Sequence, residues 1–133
     1  MPQMADIVVK KYDGTTDVTY SKLVPSAGDK SPAIWRQTAA SGIPSAGPTL
    51  SISSKSSVNR KVRIVEGEIL FPITVTDSGT GVTTVVDRDK FTFSLQLKSD
   101  FAQTLHNEAV AQSVNLVASA LVREILASGY AAS

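Results

Sequence analysis

Residues 49–98, TLSISSKSSVNRKVRIVEGEILFPITVTDSGTGVTTVVDRDKFTFSLQLK, decide the fold. Three runs rich in β-branched and aromatic residues, at 49–55, 61–76 and 84–98, are separated by short polar connections at 56–60 and 77–83. Such short connections join antiparallel neighbours, since parallel strands need a much longer crossover. The stretch therefore predicts an antiparallel meander of three strands.

Alternation along these strands predicts which side chains share a face of the sheet. One face is apolar and carries Leu50, Ile52, Phe91, Phe93, Leu95 and Leu97; the other is polar and cationic and carries Ser51, Ser53, Lys55, Lys90, Thr92, Ser94 and Gln96. The middle strand fits less well, because Arg63 and Val65 share a parity with Gly67. A bulge or a twist near Gly67 would shift its register.

Two further strands precede the meander as a hairpin. The β-prone runs 6–11 and 17–23 flank Asp13-Gly14, a dipeptide that supports the positive φ angles of a tight turn. Residues 24–48 are interrupted by glycines and prolines, among them Gly42 and Pro44, and contain one short strand candidate, 33–38. That candidate carries Trp35, which we interpret as a core or subunit-interface residue.

The rest of the chain predicts helix. Ser99 or Asp100 could cap its start, and an apolar stripe follows, formed by Phe101, Leu105, Val110, Val114, Val117, Leu121 and Ile125. One helix over 101–128 would be about 42 Å long, longer than a domain of this size. Either it breaks, with the break favoured near Ser113, or it crosses onto a partner. Gly129 is the expected C-cap. Because all strands precede all helices, the fold class is α+β.

Composition sets the limits on function. The 133 residues, 42% hydrophobic and 19% charged, predict one ordered domain over 1–133, with a hairpin at 1–23, a sheet at 33–98 and helices at 99–129. A net charge of +1 means that any nucleic-acid footprint is local. The first residues lack a secretory apolar segment, and no run is long enough to span a bilayer, so a soluble protein is expected.

Catalysis is not expected either. The chain has no cysteine, and its one histidine, His106, lacks the second histidine that a zinc-binding helix needs. No phosphate-binding glycine loop precedes a helix. We therefore predict a protein that is not an enzyme, with no cofactor and no metal.

The amount of sheet predicts self-association. The helices of one small subunit can hardly cover a sheet of five or six strands. If two sheets join edge to edge, the exposed edges disappear, and each subunit's helices can pack over the other's apolar face. A homodimer is therefore expected.

The order of these elements resembles the coat proteins of the single-stranded RNA phages, the levivirus group. The resemblance covers nearly the whole chain. It is carried by Asp13-Gly14 followed by Asp17-Val18-Thr19, by Ala33-Ile34-Trp35, and above all by Ser56-Ser57-Val58-Asn59-Arg60-Lys61. It implies an N-terminal hairpin, a five-stranded sheet and two C-terminal helices that interlock in a dimer with a continuous ten-stranded sheet. The dimers would assemble in the host cytoplasm into an icosahedral shell around genomic RNA.

The resemblance also implies an RNA site on the sheet face opposite the helices, where an operator hairpin would be bound to repress replicase translation. The expected contacts are to phosphates from cationic side chains and to bases or sugars from polar ones. They are Ser51, Ser53, Lys55, Asn59, Lys61, Arg63, Lys90, Thr92 and Ser94. Glu66 and Glu68 are expected to lie beyond this patch.

Two positions depart from the family's pattern. Lys90 stands where several relatives have a base-stacking aromatic residue, and Val65 stands at a commonly basic position. General RNA packaging is therefore the safer expectation. An assembly loop, which changes conformation around the shell's symmetry axes, is expected at Asp77, Ser78, Gly79, Thr80, Gly81, Val82 and Thr83. The alternatives left open are a dimeric RNA-binding regulator that never assembles and a shell subunit indifferent to RNA.

Overall fold

The computed structural model describes residues 2–37 and 46–133. In this part of the chain the elements are, in order, β1 (Ile7–Lys10), β2 (Asp17–Val24), β3 (Ala33–Gln37), β4 (Thr49–Ser56), β5 (Val62–Thr76), β6 (Thr83–Lys98), α1 (Gln103–Val117) and α2 (Ala120–Ser128). The strands form one six-stranded sheet in the order β1-β2-β3-β4-β5-β6, antiparallel at every pair whose register is defined. The predicted α+β class is confirmed, and β1 and β2 are part of the sheet.

The turn between β1 and β2 is held by the carboxylate of Asp13. It accepts hydrogen bonds from the backbone of Thr15 and Thr16, at 2.9 Å each, and from the Thr16 hydroxyl. These bonds, first among them the one from the Thr16 side chain, lower the pKa of Asp13 to about 2. Gly14 has a φ of +73°, so the glycine in this turn is conformationally required.

The third strand ends near its predicted position. β3 covers five residues, Ala33–Gln37; Thr38 lies outside the described residues, as do Gly42 and Pro44 of the predicted loop. The Nε1–H of Trp35 donates to the Ala5 carbonyl at 2.8 Å, which ties the segment before β1 to this strand. The half-buried tryptophan therefore packs within its own chain.

The pairing of β4 with β5 does not show the expected irregularity near Gly67. β4 and β5 pair without interruption from Thr49 opposite Leu70 to Ser56 opposite Arg63. The register shifts instead between Lys22 and Val24, where β2 meets β3. Because a one-residue slip moves side chains to the other face of a sheet, this continuous register decides which residues of β5 join the polar face.

The two helices are separated at Ala118 and Ser119 and bend by 56°. The break favoured near Ser113 is wrong, because the Ser113 hydroxyl bonds the Ala109 carbonyl at 2.7 Å inside a continuous helix. The predicted caps at Ser99 and Asp100 are also wrong, since the N-cap position is Ala102, without a side-chain bond. Gly129 is confirmed as the C-cap, with a φ of +78°.

The apolar residues of α1 lie on two sides of the helix, not on one stripe. At about 100° per residue, Val110, Val114 and Val117 share one side, whereas the step of five from Leu105 to Val110 turns the helix by about 140°. Leu105 and Leu116 therefore share a different side. No residue of either helix is buried in the single chain, so α1 offers two apolar surfaces.

Contacts divide the chain into two units, Met1–Gln96 and Leu97–Ser133. Among the described residues, Tyr20 is the one buried hydrophobic side chain. No single described helix is long and apolar enough to cross a membrane; α1 and α2 taken together pass a test of length and composition that the helices of soluble proteins also pass.

Candidate nucleic-acid interface

The polar face of the sheet is defined by cross-strand partners, which project on the same side. Ser51 lies opposite Glu68, and Ser53 lies opposite Glu66. On the other edge of β4, Thr49 lies opposite Arg36 of β3. Two carboxylates and one guanidinium therefore join the serines on one face.

β6 completes this face. Thr92 and Ser94 line an open depression of about 520 Å³ together with Ser51, Ser53, Glu66 and Glu68. Phe93 and Gly67 also border it, but the ring of Phe93 lies on the opposite, apolar side. An ideal Cβ on Gly67 would be 2.0 Å from the Phe93 Cζ, so the ring occupies the space of the missing side chain. The predicted sharing of a face by the four hydroxyl side chains is confirmed.

Lys55 and Lys90 of this face each have a carboxylate partner. Lys55 Nζ lies 3.4 Å from Glu66 Oε1, and Lys90 Nζ lies 3.4 Å from Glu68 Oε2. The expectation that both glutamates lie beyond the patch is therefore wrong. All four side chains are partly exposed, so each ion pair is weak and opens readily.

Arg63 is on the other face. Its partner is Ser56, and its guanidinium donates to Ser54 and Ser56, at 2.9 Å each. It also donates to both carboxylate oxygens of Asp29, at 2.6 and 3.2 Å. These bonds lower the pKa of Asp29 below its usual value. The prediction that Arg63 shares a face with Lys55 is wrong, and Arg63 instead holds the β2–β3 loop to the sheet.

Asn59 and Lys61 lie in the turn between β4 and β5. The Asn59 side-chain oxygen accepts from the Ser57 hydroxyl at 2.7 Å and from the Lys61 backbone at 3.1 Å. Arg60 has a φ of +58°, which these bonds stabilise. The amide oxygen of Asn59 thus shapes the turn. An RNA contact at Asn59 or Lys61 stays a prediction.

The predicted assembly loop is a closed turn between β5 and β6. The backbone N–H of Asp77 donates a hydrogen bond to the Val82 carbonyl at 2.9 Å. The Asp77 carboxylate accepts a hydrogen bond from the backbone N–H of Gly79 at 2.7 Å. Thr83 is the first residue of β6, with its hydroxyl 2.9 Å from that of Thr76. The role of this loop in assembly stays a prediction.

Among residues 2–37 and 46–133, no group of three or more histidine or acidic side chains could hold a metal ion. The structure brings together six predicted residues, namely Ser51, Ser53, Lys55, Lys90, Thr92 and Ser94. Sequence reasoning missed Arg36, whose placement depends on the pairing of β3 with β4.

An antiparallel six-stranded sheet followed by two helices defines a fold class, and solved structures share it over the whole chain. The virus-like particle of Beihai levi-like virus 21 matches with a TM-score of 0.82 and 19% identity, covering 99% of each chain. The virus-like particle of bacteriophage NT-214 matches with a TM-score of 0.82 and 17% identity, covering 99% of this chain and 100% of that one. The bacteriophage GA protein capsid matches with a TM-score of 0.74 and 16% identity, covering 96% of this chain and 95% of that one.

No protein-family model matches the sequence, and no curated protein matches it significantly. The chain therefore has the coat-protein fold of single-stranded RNA phages with little sequence identity to the solved examples. The resemblance drawn from the sequence is confirmed at the level of the fold.

Proposed function

We propose that this chain is the coat protein of a single-stranded RNA phage, a structural protein without enzymatic activity whose copies form the shell of the virion. The observation that carries the proposal is the full-length match in fold to phage particles. The distribution of apolar residues supports it independently, because a chain with so few buried side chains needs further copies to cover its surface.

The first level of assembly in this proposal is a homodimer. In a single chain, Val114 is 60% exposed and Leu116 is 65% exposed, and they point to different sides of α1. A helix that is apolar on two sides is stable in water only when both sides are covered. A second copy of the chain supplies this cover, and pairing of two six-stranded sheets edge to edge would give one continuous sheet across the dimer. Dimers then build the icosahedral shell, in which residues 77–83 adapt to different contacts.

The second part of the proposal is RNA binding by the polar face. Lys55 and Lys90 would contact phosphates, and the hydroxyls lining the depression would contact bases and riboses. Repression of replicase translation would follow if one genomic hairpin binds better than others. Arg63 is left out of this face, because its guanidinium is engaged with Asp29 on the opposite side.

The test is expression of the chain alone in bacteria, followed by electron microscopy of the purified protein and extraction of its nucleic acid. Closed uniform particles containing ribonuclease-sensitive RNA are the expected result. A soluble dimer that never forms particles would favour the non-assembling RNA-binding regulator. Empty shells whose assembly ignores ionic strength would favour a shell subunit indifferent to RNA.

Lys55→Ala/Lys90→Ala is expected to weaken RNA binding while leaving the dimer intact, since both lysines are partly exposed and add little to folding. The plot of log K against log salt has a negative slope, to which each phosphate contact with single-stranded RNA contributes about 0.7. Loss of two contacts should therefore make the slope shallower by about 1.4. Fluorescence anisotropy with a labelled oligo(U) RNA measures both quantities.

The matched control is Lys22→Ala/Arg123→Ala, which removes the same charge elsewhere. Lys22 lies opposite Trp35 and so projects from the other face of the sheet, and Arg123 lies in α2. Equal losses of affinity in the two double variants would contradict the assignment of the polar face.

A further inference from the structure

Two lysines of the polar face are already paired with carboxylates of the same face. Around the depression, Lys55 and Lys90 are matched by Glu66 and Glu68, each at 3.4 Å from its partner. A surface that bound any RNA by charge alone would leave its cations free for phosphates. Here the same two cations already have anionic partners on the next strand.

We propose that Glu66 and Glu68 set the selectivity of the RNA-binding face by holding Lys55 and Lys90 in intramolecular ion pairs. This inference rests on the proposed RNA-binding function. A phosphate that approaches either lysine replaces one anion by another, so the net gain from charge is small. Binding then depends on the additional contacts that Ser51, Ser53, Thr92 and Ser94 make in the depression. The glutamates are thus positioning residues that act through the lysines.

The geometry of the strands explains how each glutamate reaches its lysine. Glu66 and Glu68 are two residues apart on β5 and therefore project on the same side, toward β4 and β6 respectively. Glu66 lies beside Ser53, within reach of Lys55 at the next position of that face. Glu68 reaches Lys90 on β6. One pair of carboxylates thus engages the lysines on both flanks of the depression.

The test is Glu66→Gln/Glu68→Gln, which keeps size and hydrogen bonding and removes both negative charges. Exposed ion pairs each contribute a factor of about 1.4 to 5, so affinity for labelled oligo(U) at about 0.1 M salt should rise roughly 2- to 25-fold. The slope of log K against log salt should become steeper by up to about 1.4, since two lysines become available to phosphates.

The control for net charge is Glu108→Gln/Glu124→Gln, which changes the charge by the same amount on α1 and α2. It should leave oligo(U) affinity within a factor of about 1.5 of the wild type, since the ion-pair partners of Lys55 and Lys90 are Glu66 and Glu68 and stay in place. A rise equal to that of Glu66→Gln/Glu68→Gln would overturn the proposal, because charge anywhere on the protein would then account for the effect.

A second comparison separates ion pairing from simple repulsion of phosphate. In a chain that carries Lys55→Ala, Glu66→Gln should no longer raise the affinity, because the lysine that it would release is absent. The same gain in both backgrounds would overturn the ion-pair assignment.

Failure of this inference is distinguishable from failure of the proposed function. If the wild type binds oligo(U) and Glu66→Gln/Glu68→Gln binds it equally well, the glutamates do not control binding, and RNA binding itself stands. If neither protein binds RNA at low salt, the inference falls together with the RNA-binding part of the proposed function.

Discussion

Val114→Asp and Leu116→Asp are each expected to abolish the dimer, and with it the particles. The two positions point to different sides of α1, and both are apolar and more than half exposed in the single chain. If a second copy covers both sides, a carboxylate there is buried without a partner, at a cost of several kcal/mol. A loss of about 3 kcal/mol weakens the dimer roughly a hundredfold. Size-exclusion chromatography with light scattering gives the oligomeric state.

The residue between these two supplies a matched control. Asn115 is exposed and lies on the polar side of α1, so Asn115→Asp adds the same charge to the same helical turn without entering either apolar surface. The Asn115→Asp variant should remain dimeric. Dimers of unchanged stability in both Val114→Asp and Leu116→Asp would show that α1 is not part of the subunit interface.

Gly67→Ala is expected to lower the free energy of unfolding by about 1 to 3 kcal/mol, a typical cost of overpacking. The added methyl group would stand 2.0 to 2.7 Å from three atoms of the Phe93 ring, so the ring must leave its place over the strand. An aromatic ring that covers a glycine on a neighbouring strand stabilises that pair of strands. Urea unfolding at a fixed protein concentration measures the change.

Two comparisons sharpen this prediction. Gly79→Ala adds the same methyl group where the nearest atom is the Asp77 Oδ1 at 3.3 Å, and should change the stability by no more than about 0.5 kcal/mol. In a chain that carries Phe93→Ala, Gly67→Ala should cost much less, because the clash is gone. An undiminished cost in that background would place its origin in the backbone and not in the ring.

Much of the candidate site was accessible from the sequence, since β4 and β6 alternate regularly. Ser51, Ser53, Thr92 and Ser94 were assigned to one face by parity alone, and they line one depression. β5 was not accessible in this way, because both of its parities mix apolar and charged residues. The sequence therefore allows a bulge near Gly67. Under that hypothesis Arg63 was expected on the polar face and both Glu66 and Glu68 outside it, whereas the structure has the reverse.

The sequence by itself determined the features that depend on neighbouring residues along the chain: the Asp13-Gly14 turn, the regular alternation of β4 and β6, the Gly129 cap and the order of strands before helices. The tertiary structure decided the register of β5 against β4, the ion pairs of Lys55 and Lys90, and the helix break at Ala118 and Ser119. Turns and caps are local because a few adjacent residues make all their bonds. Strand register is not local, because it is fixed by packing across strands, as by Phe93 over Gly67, and a shift of one residue exchanges the two faces of the sheet.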